Sequence, residues 1–292
     1  MKASTTSRPA RRNKTGLRLW AVAVWLIVWQ LAAILLGEGM FMSSPIRVLQ
    51  NVWAMRNTPG FWKDLLLGEN LFLSSPVTVI VRLWKMAGTV DFWNRVLFST
   101  VRIMDGLLLG MAAGVLLGAV SFFRRRLREL LQPMVSVIRA VPVASFIILA
   151  LLWLNEENLS VFITFLICFP VFYSGTLSGF GGADERLLEM SRVFRLPFGK
   201  KLRAVYLPSV IRQTTASFEV AVGLAWKSGV AAEVIAIPGG SIGEKLNRAK
   251  IYLENGDMLA WTLTIALLSG GFTFLLKAVM RAVDRRWGDG HE

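Results

Sequence analysis

Three stretches of the chain, residues 106–123, 159–179 and 258–276, contain no charged side chain. Each is close to the ~20 apolar residues a helix needs to cross hydrocarbon. Backbone N–H and C=O groups in lipid must find partners within the segment, so such runs fold as helices. Three further segments fit the same reading less cleanly. Residues 19–36 follow a basic tail, but their apolar run exceeds a signal-peptide core and no small-residue cleavage site follows, which marks a retained span. Residues 130–154 carry Arg139 and Pro142, and residues 213–237 carry Glu219, Lys227 and Glu233. The expectation is an all-α membrane protein with six transmembrane helices.

The 33 Lys and Arg leave a net charge of +14. Such an excess marks either a nucleic-acid surface or cytoplasmic loops, and its distribution separates the two. With the N-terminus inside, residues 1–18 hold six basic residues, the 123–130 loop four, the 180–212 loop seven, and the segment from residue 277 four. The outer loops 37–96, 155–158 and 238–257 hold six, none and three. This is the positive-inside pattern at every short loop. It places both termini in the cytoplasm, makes the chain a multi-pass protein of the bacterial cytoplasmic (inner) membrane with lipid as its solvent, and removes the nucleic-acid reading.

One cysteine (Cys168) and one histidine (His291) exclude a disulfide, a Cys/His zinc site and a usable Ser-His-Asp triad. Residues 239–245 come nearest to a phosphate-binding loop, but their spacing departs from G-x-x-x-x-G-K-[S/T] and they fall outside the cell. No cofactor, metal or catalytic residue is expected.

Residues 34–63 align without gaps to residues 65–94. In each copy Ser-Ser-Pro supplies an N-cap hydroxyl followed by Pro at the first helical position. Ile46, Leu49 and Trp53, like Val77, Ile80 and Trp84, then follow at helical spacing. Two readings stay open: amphipathic helices at the outer interface, or a duplicated spacer. In the 238–257 loop, Ser241 and Glu244 form a capping box, Ile242, Leu246, Ala249 and Leu253 trace an apolar face, and Asn255-Gly256 is expected to end the helix.

The loop 181–212 is the most informative. Asp184 can cap a helix whose face carries Leu187, Met190 and Phe194. Pro197 and Gly199 are expected to break it. A second short helix over 200–207 precedes Pro208, which can open the next span from its first turn. An apolar ridge on a cytoplasmic loop calls for a partner.

This loop resembles the EAA motif of binding-protein-dependent ABC importer permeases. Glu189-Met190-Ser191 occupies the Glu-Ala-Ala slots and Leu207-Pro208 falls at the family's spacing. Arg195 replaces the family glycine, where a turn with positive φ is easiest for Gly. Residues 97–179 are similar to the family core, including Arg-Ala-Val-Pro at 139–142, and residues 223–236 resemble the nitrate/sulfonate/taurine branch, with its Ala-Ala-Glu. The resemblance implies a type I importer permease fold and alternating access without covalent chemistry. It also implies a homodimer around a central pathway, a separate ATP-binding subunit docked on the loop, and an extracytoplasmic solute-binding protein. The organisation expected is a basic tail at 1–18, the first helix at 19–36, an outer loop at 37–96, a permease core at 97–283 containing the coupling loop 181–212, and a tail at 284–292. Arg139, Glu219, Lys227 and Glu233 are candidate pathway charges. For Lys227 a structural ion pair or snorkelling is favoured over contact with an anionic solute, and Arg139 is read the same way because family members with different cargo carry similar residues.

The rival is a stand-alone secondary transporter. It should show repeats of whole helix bundles with broken spans, and the repeat found is confined to an outer loop.

Overall fold

The computed structural model describes residues 24–25, 27–29 and 74–288, which are helical with short connections and contain no strand. The chain divides into two compact units, residues 1–81 and 82–292. The predicted tail 1–18, most of the 19–36 span, the first repeat copy and the last four residues lie outside the described residues. Within the predicted first span, residues 24–25 and 27–29 are helical.

Helix α1 (Pro76–Ala87) begins at the proline of the second Ser-Ser-Pro. Ser75 Oγ accepts from the Thr78 N–H at 3.3 Å, the bond expected of an N-cap serine. Val77, Ile80 and Trp84 form an exposed apolar stripe, with Trp84 82% exposed.

In the second unit, α2 (Val90–Phe123) starts well before the predicted span, capped by Thr89 Oγ1, which accepts from Phe92 N–H. It includes Arg95, Arg102 and Asp105, so the helix reaches back into the segment predicted as outer loop over 37–96. Helix α5 (Glu156–Gly181) is the centre of the unit, packed along its length by α2 on one side and α8 (Leu207–Ala236) on the other. Glycines make the first contact close. Gly106, Gly110, Gly114 and Gly118 recur every fourth residue along α2, and each presses on the backbone of α5. A Cβ on Gly114 would lie 2.7 Å from Phe172 Cβ and 2.9 Å from the Phe169 carbonyl oxygen. Small residues spaced this way let helices in lipid approach until their backbones touch.

The predicted span 130–154 is not one helix. It divides into α3 (Arg125–Ala140) and α4 (Val143–Ala150), which meet at 103°. Pro142 lacks an N–H to continue the ladder and forces Val141 out of the α region, to φ −80° and ψ 133°. Helices α2, α5 and the Asn255–Leu275 part of α10 (Asn255–Gly288) are long and apolar enough to cross a membrane, and the bent α3–α4 pair makes a fourth candidate. Helix α8 matches them in length, but Arg212, Glu219, Lys227 and Glu233 dilute its apolarity.

Helix α9 (Ile242–Ile251) is capped by Ser241 Oγ, which accepts from Glu244 N–H at 2.9 Å. The Glu244 carboxylate accepts from Gly240 N–H at 2.8 Å and pairs with Arg95 at 2.6 Å. Burial pushes the Glu244 carboxyl up, but Arg95 and the Gly240 N–H outweigh it and hold its pKa below the ordinary value. Ile242 and Ala249 pack inward, Ile242 with Phe92, Val96 and Trp261, so most of the face predicted for α9 is consumed by its own unit. Two expectations change at its end. Leu253 takes φ +58° and leaves that face exposed, while Asn255-Gly256 opens α10 instead of closing α9. An Asn-Gly pair marks a boundary but not its direction.

Candidate functional site

The 181–212 loop folds around α6 (Glu185–Val193). Asp184 caps it, its carboxylate accepting from the Arg186 N–H at 2.9 Å. Leu187, Met190 and Phe194 are 40%, 48% and 69% exposed, and Val193 and Phe198 extend the same apolar surface. Glu189 is exposed and makes no ion pair among the described residues, whereas Ser191 is buried with its Oγ donating to the Leu188 carbonyl at 2.7 Å. Met190 and Ser191, the two alanine slots, therefore have opposite environments.

The chain reverses at Arg195, not at the expected Pro197–Gly199 break. Arg195 adopts φ +46°, the left-handed conformation for which the family glycine is suited, with Leu196 N–H donating to Ser191 O at 3.0 Å to close the helix end. A non-glycine residue there costs about 1–2 kcal/mol. Pro197 precedes α7 (Phe198–Lys201), and Gly199 lies inside that helix. The expected short helix over 200–207 is not separate from the next span. Helix α7 runs through a π-helical turn, Leu202–Tyr206, into α8 without interruption. Pro208 explains the wider turn: it has no N–H for the carbonyl four residues back, and its ring would crowd that carbonyl. Leu207 N–H donates instead to Leu202 O.

An aromatic cluster seats this loop. Phe122 and Phe180 stack with centroids 4.9 Å apart, Tyr206 meets them edge-on or tilted, and Phe198 packs on Phe123 at 5.5 Å. These residues were not singled out from sequence. Phe122-Phe123 at the very end of an uncharged run was the available signal.

The four candidate pathway charges are not gathered in one place. Lys227 is exposed and has no ion pair among the described residues, and Glu219 is also exposed. Glu233 is fully buried. Its Oε2 accepts from Ser99 Oγ at 2.7 Å and from Gly243 N–H at 3.2 Å, while Ser99 Oγ accepts from Ile242 N–H at 2.9 Å. One carboxylate thereby ties α8, α2 and the start of α9 together. Ser99→Ala is expected to leave Glu233 and the Ile242 N–H each short of a partner and to destabilise the fold by about 1–3 kcal/mol. Thermal unfolding in detergent measures this, and Glu233→Ala should fall further.

Arg139 is different. At the end of α3, its Nη2 donates to the Pro170 carbonyl at 2.8 Å and to Ser174 Oγ at 2.6 Å. It borders a cavity of about 550 Å³ between the α3–α4 bend, α5 and α8. Cys168 is buried, with its thiol against the Ala221 carbonyl, as a packing residue would be. No cluster of potential metal ligands occurs among the described residues.

An apolar helical bundle carrying a loop of this register is the architecture of a transporter component. Residues 106–289 match the family described as binding-protein-dependent transport system inner membrane component, and the chain belongs to that family. It is 26% identical over 290 residues to the taurine transport system permease protein of Escherichia coli, covering 97% of this chain and 92% of the relative. It is 25% identical over 218 residues to a nitrate import permease protein of Synechococcus elongatus, covering 74% and 70%. These relatives, with one named for aliphatic sulfonates, place the chain in the nitrate/sulfonate/taurine-like branch of ABC permeases. The fold is similar to a chain in the crystal structure of an amino acid ABC transporter with histidines, at a TM-score of 0.55 and 12% identity, covering 71% of this chain and 96% of that one.

Proposed function

We propose that this chain is the permease subunit of an ABC importer, forming the pathway for a small solute handed over by an extracytoplasmic binding protein. It spans the cytoplasmic membrane six times with both termini inside, pairs with a second copy, and performs no ATP hydrolysis itself. A separate ATP-binding subunit docks on residues 184–208. The observation that carries this reading is the Leu187/Met190/Phe194 ridge, which is capped, exposed and continuous through α7 with a helix of the bundle. Relatives named for taurine, nitrate and aliphatic sulfonates support a small polar cargo.

Orientation and mechanism are tested together. In a Cys168→Ala background, Thr89→Cys and Tyr252→Cys are expected to react with an impermeant thiol reagent added to intact cells, and Lys200→Cys only after lysis. Uptake into proteoliposomes should require ATP, the ATP-binding subunit and the binding protein. Uptake driven by an ion gradient through this chain alone would make it a secondary transporter.

A further inference from the structure

A charged side chain within a membrane bundle is costly unless it pairs with an opposite charge or with backbone carbonyls. Arg139, exposed in this chain, donates to the Pro170 carbonyl but has no carboxylate partner among the described residues. Among the described residues it is the only charged one lining the 550 Å³ cavity, whose other polar groups include Ser174, Ser178 and Gln213. On its other side lies a second cavity of about 260 Å³, which Arg139 shares with Arg128 and which likewise has no acidic residue in its wall. Tyr173 lines that second space. It is only 3% exposed, and its hydroxyl has no hydrogen-bond partner. The two adjoining spaces thus contain two guanidinium groups, an unpartnered phenol and several hydroxyls, with no anion.

We propose that Arg139 is an anion-recognition residue of the solute pathway, holding the oxoanion group of a small transported solute at the α3–α4 bend. Both existing bonds leave from Nη2, so Nε–H on one edge of the guanidinium and the Nη1 group on the other remain free, each able to donate to an oxoanion oxygen. The bend set by Pro142 creates the space, since a straight span would not turn away at 103° next to Arg139. The larger cavity suits a small molecule. Lys227, the other unpaired cation considered, lines neither cavity. The proposal rests on the permease reading.

Ser178 lines both cavities and is exposed, which makes it a reporter position. The full chain carrying Cys168→Ala and Ser178→Cys is placed in nanodiscs of zwitterionic phosphatidylcholine and labelled with an uncharged maleimide. At equal ionic strength, methanesulfonate and nitrate are expected to slow labelling about tenfold, with acetamide and ethylammonium leaving it within about twofold. Arg139→Gln should abolish that protection. Should Arg139→Gln fail to fold, Arg139→Lys carries the test: it keeps the charge and loses the fixed Nε–H and Nη1 donors, so protection by nitrate must fall relative to protection by chloride. Equal protection by acetamide, undiminished protection in Arg139→Gln, or an unchanged nitrate-to-chloride ratio in Arg139→Lys overturns the proposal. Protection by discs containing phosphatidylglycerol, with none from the soluble anions, assigns the site to a lipid headgroup and also overturns it. Copurification of the ATP-binding subunit is scored separately. Its failure would count against the permease reading, whereas loss of anion protection with intact copurification would count only against Arg139.

Discussion

Leu187→Asp is expected to strip the ATP-binding subunit from the tagged chain while leaving yield and membrane insertion unchanged. Leu187 lies on the exposed side of α6, opposite Leu188 and Ser191, which face the loop's own core. Burying Leu187, Met190 and Phe194 in a groove would return about 25 cal/mol for each Å² of apolar surface removed from water. A carboxylate placed at the centre of that contact would lose its hydration without gaining a partner, a penalty of several kcal/mol and about 100-fold or more in affinity. Glu189→Ala, at an exposed position on the same helix, should weaken coupled hydrolysis more than assembly. Copurification and ATP hydrolysis in proteoliposomes measure the two effects. Full assembly and full coupled hydrolysis by Leu187→Asp would sink the docking assignment.

Gly114→Val is expected to abolish the folded protein. The new Cβ would meet Phe172 Cβ at 2.7 Å and the Phe169 oxygen and Tyr173 nitrogen at 2.9 Å. Two of these three atoms are backbone, so no rotamer change clears the space and α2 must separate from α5. Overpacking of this kind costs about 3 kcal/mol, and the same contact repeats at Gly106, Gly110 and Gly118. Gly270→Val is the control, because α10 leaves open space around Gly270. Size-exclusion profile and melting temperature in detergent report the difference. A Gly114→Val protein as stable as Gly270→Val would show that close α2–α5 packing is dispensable.

The parts legible in the sequence were those governed by local chemistry. Uncharged runs became α2, α5 and α10 because lipid tolerates no other backbone arrangement. Asp184, Ser241 and the second Ser-Ser-Pro marked helix starts because an N-terminal turn has N–H groups that only nearby side chains can satisfy. What was missed depended on geometry that hydropathy does not record. Pro142 was noticed, yet the 130–154 segment still read as one span, since apolarity is blind to φ and ψ. The glycines of α2 read as apolar filler, because their meaning lies in the helix they touch. Arg195 was recognised as a replacement for glycine, but the turn was expected to move downstream. The closing bond from Leu196 to Ser191 instead holds Arg195 in the strained conformation. Glu233 was weighed as a pathway charge, and only the placement of Ser99 and Gly243 around it gives it a structural role. The exposed Val77, Ile80 and Trp84 stripe suits an interfacial helix, whereas most of the apolar face of α9 turns inward on its own unit.

The unbroken passage from α7 through the π-helical turn into α8 has a mechanical consequence. The 30 residues of α8 make a rod about 45 Å long, helical from the loop to the Glu233 end although Gly223 and Gly229 lie within it. A tilt of about 5° imposed on such a rod at one end displaces the other by roughly 4 Å, more than the length of a hydrogen bond. Glu233 sits near that far end, gripping Ser99 and the first turn of α9 through bonds of 2.7 and 3.2 Å. Under the proposed docking of an ATP-binding subunit, a small push on the loop would become a displacement large enough to unfasten that grip. The five-residue π-helical turn Leu202–Tyr206 is the joint through which any such push would enter the rod.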